Sequence, residues 1–169
     1  MADKFAIITG ASTGIGFELA EIAAENGYDL LVVADEPLID AAARDFQQHG
    51  VAVDSIEADL ATLEGVDRLL DAAQGRRIDL LCANAGRGLG RDFLSQSVTD
   101  WRRVVDTNIT GTIYLLQRVL QQMVAQGEGK VLITGVDRRL HPRQFPSGLQ
   151  RHQSLHRQLR RRAPQRAEG

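Results

Sequence analysis

The 169-residue chain has little cysteine and no long apolar run. Its single cysteine, Cys82, excludes a disulfide framework and a zinc site made of clustered cysteines, and no metal site is expected. No stretch of about 20 apolar residues is present, and the N-terminus shows no charged-then-apolar leader. We therefore expect a cytoplasmic protein that neither spans a membrane nor is secreted.

Lysine and tyrosine are absent from the end of the chain, where arginine is abundant. Residues 1–135 carry 11 Lys and Arg against 20 Asp and Glu, whereas residues 136–169 carry 9 Arg against two acidic residues. Apolar residues are sparse after Gly135 and lack a period that would bury one face. The shift predicts a folded domain over 1–135 and a poorly ordered, Arg-rich tail over 136–169.

Apolar runs alternate with helical patterns between residues 1 and 135. The runs predict strands at 5–9, 30–33, 51–56, 78–83 and 130–134. The periodic segments predict helices at 14–26, 39–48, 63–73 and 101–126. This alternation is typical of βαβ units with a parallel sheet covered on both faces. The predicted fold class is α/β, a Rossmann-like doubly wound parallel sheet that is truncated after the fifth strand.

A turn of small residues joins the first predicted strand to the first helix. Its candidate cofactor-binding residues are Gly10, Ser12, Thr13, Gly14, Ile15 and Gly16. Glycines allow a tight turn and a close approach to a pyrophosphate, and the helix N-terminus offers free N–H groups to its charge. A glycine turn without a ligand is the alternative. The strand before it and the helix after it favour dinucleotide binding.

An acidic residue, Asp35, ends the second predicted strand about 20 residues after the glycine turn. A carboxylate at this place accepts hydrogen bonds from the ribose hydroxyls of adenosine and repels a 2′-phosphate. Glu36 adds to the repulsion, and the glycine turn contains no Arg or Lys. The sequence thus favours NAD over NADP, unless Asp35 is only a solvated strand end.

Four motifs occur in a fixed order along residues 4–135. They are Thr9-Gly-x-x-x-Gly14-x-Gly16, Asp59-Leu60, Asn84-Ala85-Gly86 and Asn108-x-x-Gly111. The set resembles the short-chain dehydrogenase/reductase family, with Ala83 where that family often has another Asn.

The resemblance implies a role for each motif. It implies that the glycine turn binds the cofactor diphosphate, that Asp59, followed by Leu60, holds the adenine, and that Asn84, Ala85 and Gly86 line the cofactor site. Asn108 would kink the long helix and position a proton-relay water. The alternatives are that Asp59 and Asn84 only cap turns and that Asn108 is a tolerated polar residue within a helix.

The family's catalytic residues are missing from this chain. The family uses a Tyr whose pKa is lowered by a Lys four residues later, with a Ser after the fifth strand. The only tyrosines here are Tyr28 and Tyr114, and the chain leaves the family pattern after Gly135. The resemblance implies an NAD(P)-dependent oxidoreductase acting on secondary alcohols or ketones. We expect this chain to be inactive and to have lost the family's homo-oligomer interface.

The genetic code offers an explanation for the tail. Synonymous codons for residues 136–153 exist that, read one nucleotide later, encode SIAGFIPGSFQAVYNGTK. The missing Ser, Tyr and Lys then overlap the codons of Val136, Leu149 and Gln153. Codon degeneracy leaves choice at each step, but three catalytic positions fit together, which favours a frameshift near Gly135.

The sequence is also compatible with two other functions. The first is a dinucleotide-binding or regulatory protein that kept the site without the chemistry. The second is nucleic-acid binding, because nine arginines could contact phosphates. Only one aromatic residue, Phe145, accompanies those arginines, so stacking on bases has little support and a nucleic-acid partner is not expected.

Overall fold

A computed structural model describes residues 4–90 and 92–135 of the chain. The predicted tail, residues 136–169, and its nucleic-acid-binding alternative lie outside the described residues. The strands are β1 (Lys4–Thr9), β2 (Tyr28–Ala34), β3 (Val53–Glu57), β4 (Leu80–Ala83) and β5 (Lys130–Ile133). The α-helices are α1 (Gly14–Glu25), α2 (Leu38–Gln47), α3 (Leu63–Ala72), α4 (Val98–Val105) and α5 (Thr112–Gln126).

The five strands form one parallel sheet in the order β3-β2-β1-β4-β5. Ile8 of the central strand β1 pairs with Val32 of β2 on one side and with Cys82 of β4 on the other. The strand order reverses direction at β1, because β2 and β3 continue to one side and β4 and β5 to the other. Ligands of open α/β sheets bind at such a switch point, outside the carboxyl ends of the strands.

Alternate residues of the strands face two separate cores. Ile7, Leu31 and Leu81 pack with α3 and α5 on one face of the sheet. Ile8 and Val32 pack with α1 and α2 on the other face. Because helices cover both faces, the strands read as continuous apolar runs, and the predicted doubly wound parallel sheet is confirmed.

The predicted long helix over 101–126 is present but differs from the expectation in its start and in its form. It begins earlier, at Val98, because the Ser97 hydroxyl accepts a hydrogen bond from the backbone N–H of Asp100 at 3.1 Å and caps the first turn. A π-helical turn, Asp106–Gly111, then separates α4 from α5. Such insertions are frequent at functional sites.

β5 forms one edge of the described sheet and pairs with β4. All four of its residues are exposed. Within residues 4–90 and 92–135, no helix combines the length and the apolar character needed to cross a membrane.

Candidate cofactor site

The predicted glycine turn leads from the carboxyl end of β1 into α1. Gly10 and Gly14 adopt φ of +66° and +61°, the left-handed region that glycine enters without strain. Thr13 precedes the helix in extended conformation, and its side chain makes no capping hydrogen bond. The first turn of α1 contains no acidic side chain. The helix N-terminus therefore keeps its positive dipole end for an anion, and these residues fit a diphosphate.

Two glycines of this turn are required by close packing. A Cβ on Gly10 would lie 2.9 Å from the Cα of Ala85, and a Cβ on Gly16 would overlap the carbonyl oxygen of Gly10. The turn thus packs tightly against the segment after β4. Of the other predicted residues, Ile15 is two-thirds exposed, and Ser12 donates a 2.6 Å hydrogen bond to Glu36.

The Thr9 side chain connects the end of β1 to the end of β4 through hydrogen bonds. Its buried Oγ1 accepts hydrogen bonds from the backbone N–H groups of Asn84 and Ala85 at 2.9 and 2.8 Å. The Asn84 side chain donates to the Gly10 carbonyl at 3.2 Å and accepts from the Thr134 hydroxyl at 2.8 Å. The structure therefore brings the Asn84-Ala85-Gly86 motif directly beside the glycine turn.

The Asp59-Leu60 motif lies after β3 at the same edge of the sheet. Asp59 Oδ1 accepts a hydrogen bond from the backbone N–H of Ala61 at 3.0 Å, and Oδ2 accepts one from Arg103 at 2.9 Å. The carbonyl oxygen of Leu60 lies against Gly111, where a Cβ would overlap it. Asp59 thus caps a turn, as the alternative interpretation expected, and also forms an ion pair.

Asn108 lies in the π-helical turn and is bonded to the loop after β4. Its side chain accepts from the backbone N–H of Arg87 at 2.8 Å and donates to the Arg87 carbonyl at 2.9 Å. Both functions of the amide are used, so Asn108 is more than a tolerated polar residue. It fixes the residue that follows Asn84-Ala85-Gly86.

Asp35 directly follows β2 and forms ion pairs that the sequence analysis missed. Arg87 donates a short hydrogen bond to Asp35, and Arg103 lies 3.6 Å from the same carboxylate oxygen. Both arginines lie outside the glycine turn, which itself contains no basic residue. The available signal was positional, because Arg87 follows a predicted site motif and Arg103 shortly precedes Asn108.

No tyrosine of the described residues stands at this edge. Tyr28 begins β2, at the opposite end of the sheet, and the Tyr114 hydroxyl donates to Asp67 at 2.8 Å between α3 and α5.

Cys82 is buried, and burial raises the pKa of its thiol to about 11. A protonated thiol is a poor nucleophile. The described residues therefore assemble a binding edge and contain no Tyr–Lys pair for proton transfer.

Comparison with known proteins decides the family. The model of the family described as "short chain dehydrogenase" matches residues 4–144. The chain belongs to the short-chain dehydrogenase family. An uncharacterized oxidoreductase of Escherichia coli, YohF, is 35% identical over 134 residues, which are 77% of this chain and 53% of that relative.

Solved structures of this short-chain dehydrogenase family share its fold. L-sorbose reductase from Gluconobacter frateurii, complexed with NADPH and L-sorbose, has a TM-score of 0.72 and 29% identity over 79% of this chain and 52% of its own. Acetoin dehydrogenase YohF from Salmonella typhimurium has a TM-score of 0.67 and 31% identity over 77% and 56%. The chain spans about half the length of these relatives.

Proposed function

We propose that this chain is the dinucleotide-binding half of an oxidoreductase that acts on secondary alcohols or ketones and that it binds NAD in preference to NADP. The observation that carries the proposal is the meeting of the glycine turn, Asp35, Asp59 and Asn84 at the switch point of the sheet. Solved relatives include a reductase complexed with NADPH and L-sorbose. We also propose that the protein is located in the cytoplasm.

Each predicted site residue has a proposed role in binding the dinucleotide at the carboxyl edge of the sheet. The turn from Gly10 to Gly16 holds the diphosphate through backbone N–H groups, since no side chain caps the helix. Asp35 accepts hydrogen bonds from the adenosine ribose hydroxyls. Asp59 and Leu60 border the adenine. Asn84, Ala85 and Gly86 line the remainder of the site.

The nicotinamide, when bound, supplies hydride transfer to or from a carbon that carries oxygen. The chain's own residues would bind and orient the dinucleotide. Asn108 would hold a proton-relay water through the second lone pair of Oδ1 or the second N–H of Nδ2, since each atom already serves one hydrogen bond to Arg87. The Tyr and Lys that would move the hydroxyl proton are absent from residues 136–169.

We expect binding without turnover. Loss of the Tyr and Lys removes a proton-transfer contribution of typically 10²–10⁴-fold, in addition to substrate positioning. Alcohol-dependent formation of NADH, measured by absorbance with the Asn108→Ala variant as control, tests this expectation. Turnover that depends on an intact dinucleotide site would contradict the assignment of the missing groups.

Calorimetry with NADH and NADPH tests the cofactor preference. NADH is expected to bind more tightly, because Asp35 and Glu36 place negative charge where a 2′-phosphate would lie. Asp35→Arg should move the preference toward NADPH. Tighter binding of NADPH by the unchanged chain would contradict the preference.

A dinucleotide-binding protein without catalysis is the second candidate, favoured by the absence of the Tyr–Lys pair. Genomic DNA across codons 130–170 discriminates the two. A +1 frame that stays open for about the missing half of the relatives' length supports the frameshift and an enzyme ancestor. A stop codon soon after residue 136 in that frame supports the second candidate.

A further inference from the structure

Two arginines and two carboxylates form one ion-pair network at the carboxyl edge of the sheet. Arg87 pairs with Asp35, and Arg103 lies 3.6 Å from Asp35 and 2.9 Å from Asp59. The members come from the ends of β2, β3 and β4 and from α4. They surround the place where the proposed function puts the adenosine ribose. The side chains of all four are between about one third and one half exposed, so a ligand can reach them.

Arg87 reaches Asp35 from a fixed backbone. Asn108 holds both the N–H and the carbonyl group of Arg87, at 2.8 and 2.9 Å. The Nε atom of Arg87 is buried and has no hydrogen-bond partner within the described residues. Asp35 contacts the guanidinium through Nη2 alone. A larger anion with more acceptor oxygens would match this group better than a carboxylate does.

We propose that Arg87 and Arg103 form a latent site for the 2′-phosphate of an adenosine ribose, and that Asp35 occupies this site in the unchanged chain. The inference rests on the proposed dinucleotide-binding function. A guanidinium matches phosphate oxygens through paired hydrogen bonds that are strengthened by charge. Asp35 excludes NADP in two ways, because it repels the phosphate and withholds both guanidinium groups from it.

The specificity of the site therefore depends on one carboxylate. Conversion of a site without basic residues to NADP requires a new cation. Here both cations are already in place, so removal of the Asp35 charge alone is sufficient. Asp35→Asn keeps the size of the side chain, releases Arg87 and leaves Arg103 paired with Asp59 alone.

The test is titration of the full chain with NADH and NADPH, followed by cofactor fluorescence, and with 2′,5′-ADP and 5′-ADP, followed by calorimetry. Asp35→Asn should raise the affinity for NADPH and for 2′,5′-ADP by about tenfold or more, since each charged hydrogen bond carries this weight. The doubly substituted chain D35N/R87Q should lose most of that gain.

A matched control lies next to Arg103 on the same helix. Arg102 pairs with Asp106 at 3.8 Å and has a side chain that is 73% exposed. D35N/R102Q removes one positive charge, as D35N/R87Q does, and should keep the gain in NADPH affinity. Equal losses in D35N/R87Q and D35N/R102Q would reduce the effect to net charge and overturn the proposal.

Two further variants keep the test independent of folding. Asp35→Ser is a second neutral variant, and thermal melting shows whether each protein is folded. Arg87→Gln alone should lower NADPH affinity relative to NADH, because it leaves Asp35 with less compensating charge. NADH binding by the unchanged chain with no rise in NADPH affinity in either neutral variant overturns this inference only. Failure of every protein to bind NADH overturns the proposed function as well.

Discussion

The side chain of Asn108 forms two hydrogen bonds with the backbone of Arg87. Its Oδ1 accepts from the Arg87 N–H group at 2.8 Å, and its Nδ2 donates to the Arg87 carbonyl at 2.9 Å. The pair joins the π-helical turn Asp106–Gly111 to the loop after β4. The pair also fixes the backbone position from which the Arg87 side chain extends to Asp35. Asn108 is thereby coupled to this ion pair.

Asn108→Ala should destabilise the chain. The substitution leaves the N–H and the carbonyl of Arg87 without their partner, at a cost of about 1–3 kcal/mol for each group that stays buried. Urea unfolding followed by circular dichroism measures the loss. Asn108→Asp keeps the acceptor but places a carboxylate oxygen against the Arg87 carbonyl, so it should also lose stability. A stability equal to that of the unchanged chain in Asn108→Ala would show that the two bonds contribute nothing net.

Gly16→Ala should weaken both folding and dinucleotide binding. The added Cβ overlaps the carbonyl of Gly10 and must push α1 away from the glycine turn, an overpacking that costs typically about 1–3 kcal/mol. Gly90→Ala is the matched control, because a Cβ there meets no atom within 4 Å. Thermal melting and NADH titration of both variants give the comparison. Similar behaviour of the two alanine variants would contradict the close-packing requirement.

Cys82 should make stability fall at high pH. Burial raises the pKa of its thiol from 9.0 to about 11, so the folded chain favours the neutral form. The contribution is fully present below pH 9 and is lost between about pH 9 and 11, with a total of about 2 to 3 kcal/mol. Urea unfolding of the unchanged chain and of Cys82→Ala at pH 8 to 10.5 isolates this group. Parallel pH curves for the two proteins would contradict the prediction.

The edge strand β5 should promote association. Its residue Ile133 is 55% exposed, and an exposed apolar strand at a sheet edge is a site of aggregation. Ile133→Lys should reduce light scattering of concentrated solutions. Leu38→Lys on α2 alters an apolar residue of the same exposed fraction, 55%, away from the edge. Equal scattering by both variants would exclude β5 as the cause.

The frameshift hypothesis predicts fast amide hydrogen exchange throughout residues 136–169, since an arginine-rich tail with few apolar side chains has too little to bury. It also predicts marginal stability and loss of the family's homo-oligomer interface. Mass spectrometry after exchange resolves the tail from the domain. Slow exchange over 136–169 together with a cooperative melt above about 60 °C would refute the hypothesis for the folded protein.

The order of strands and helices was predictable because it depends on local patterns. Buried parallel strands are continuous apolar runs, and the glycine turn carries its own conformational signature at Gly10 and Gly14. The resemblance implied a kink of the long helix at Asn108, but periodicity did not predict that the kink is a π-helical turn with Gly111 against the Leu60 carbonyl, which is distant in the sequence.

The ion-pair network could not be predicted from the sequence for a similar reason. Arg87 and Arg103 are both far from Asp35 along the chain, and each arginine alone is an ordinary surface residue. Their meeting requires the strand order β2-β1-β4 together with the direction of α4. Propensity and periodicity contain no information about which charges meet across a sheet.

The central position of β1 has a consequence for synthesis on the ribosome. Its partner β2 begins at Tyr28, soon after β1 ends, whereas its other partner, β4, begins only at Leu80. Because synthesis proceeds at roughly 5–20 residues per second, one side of β1 remains unpaired for several seconds before β4 has been made. During that interval the Thr9 hydroxyl lacks both of the N–H groups that it later accepts from. The nascent chain therefore presents an open apolar edge during translation, the stage at which a chaperone would have to act.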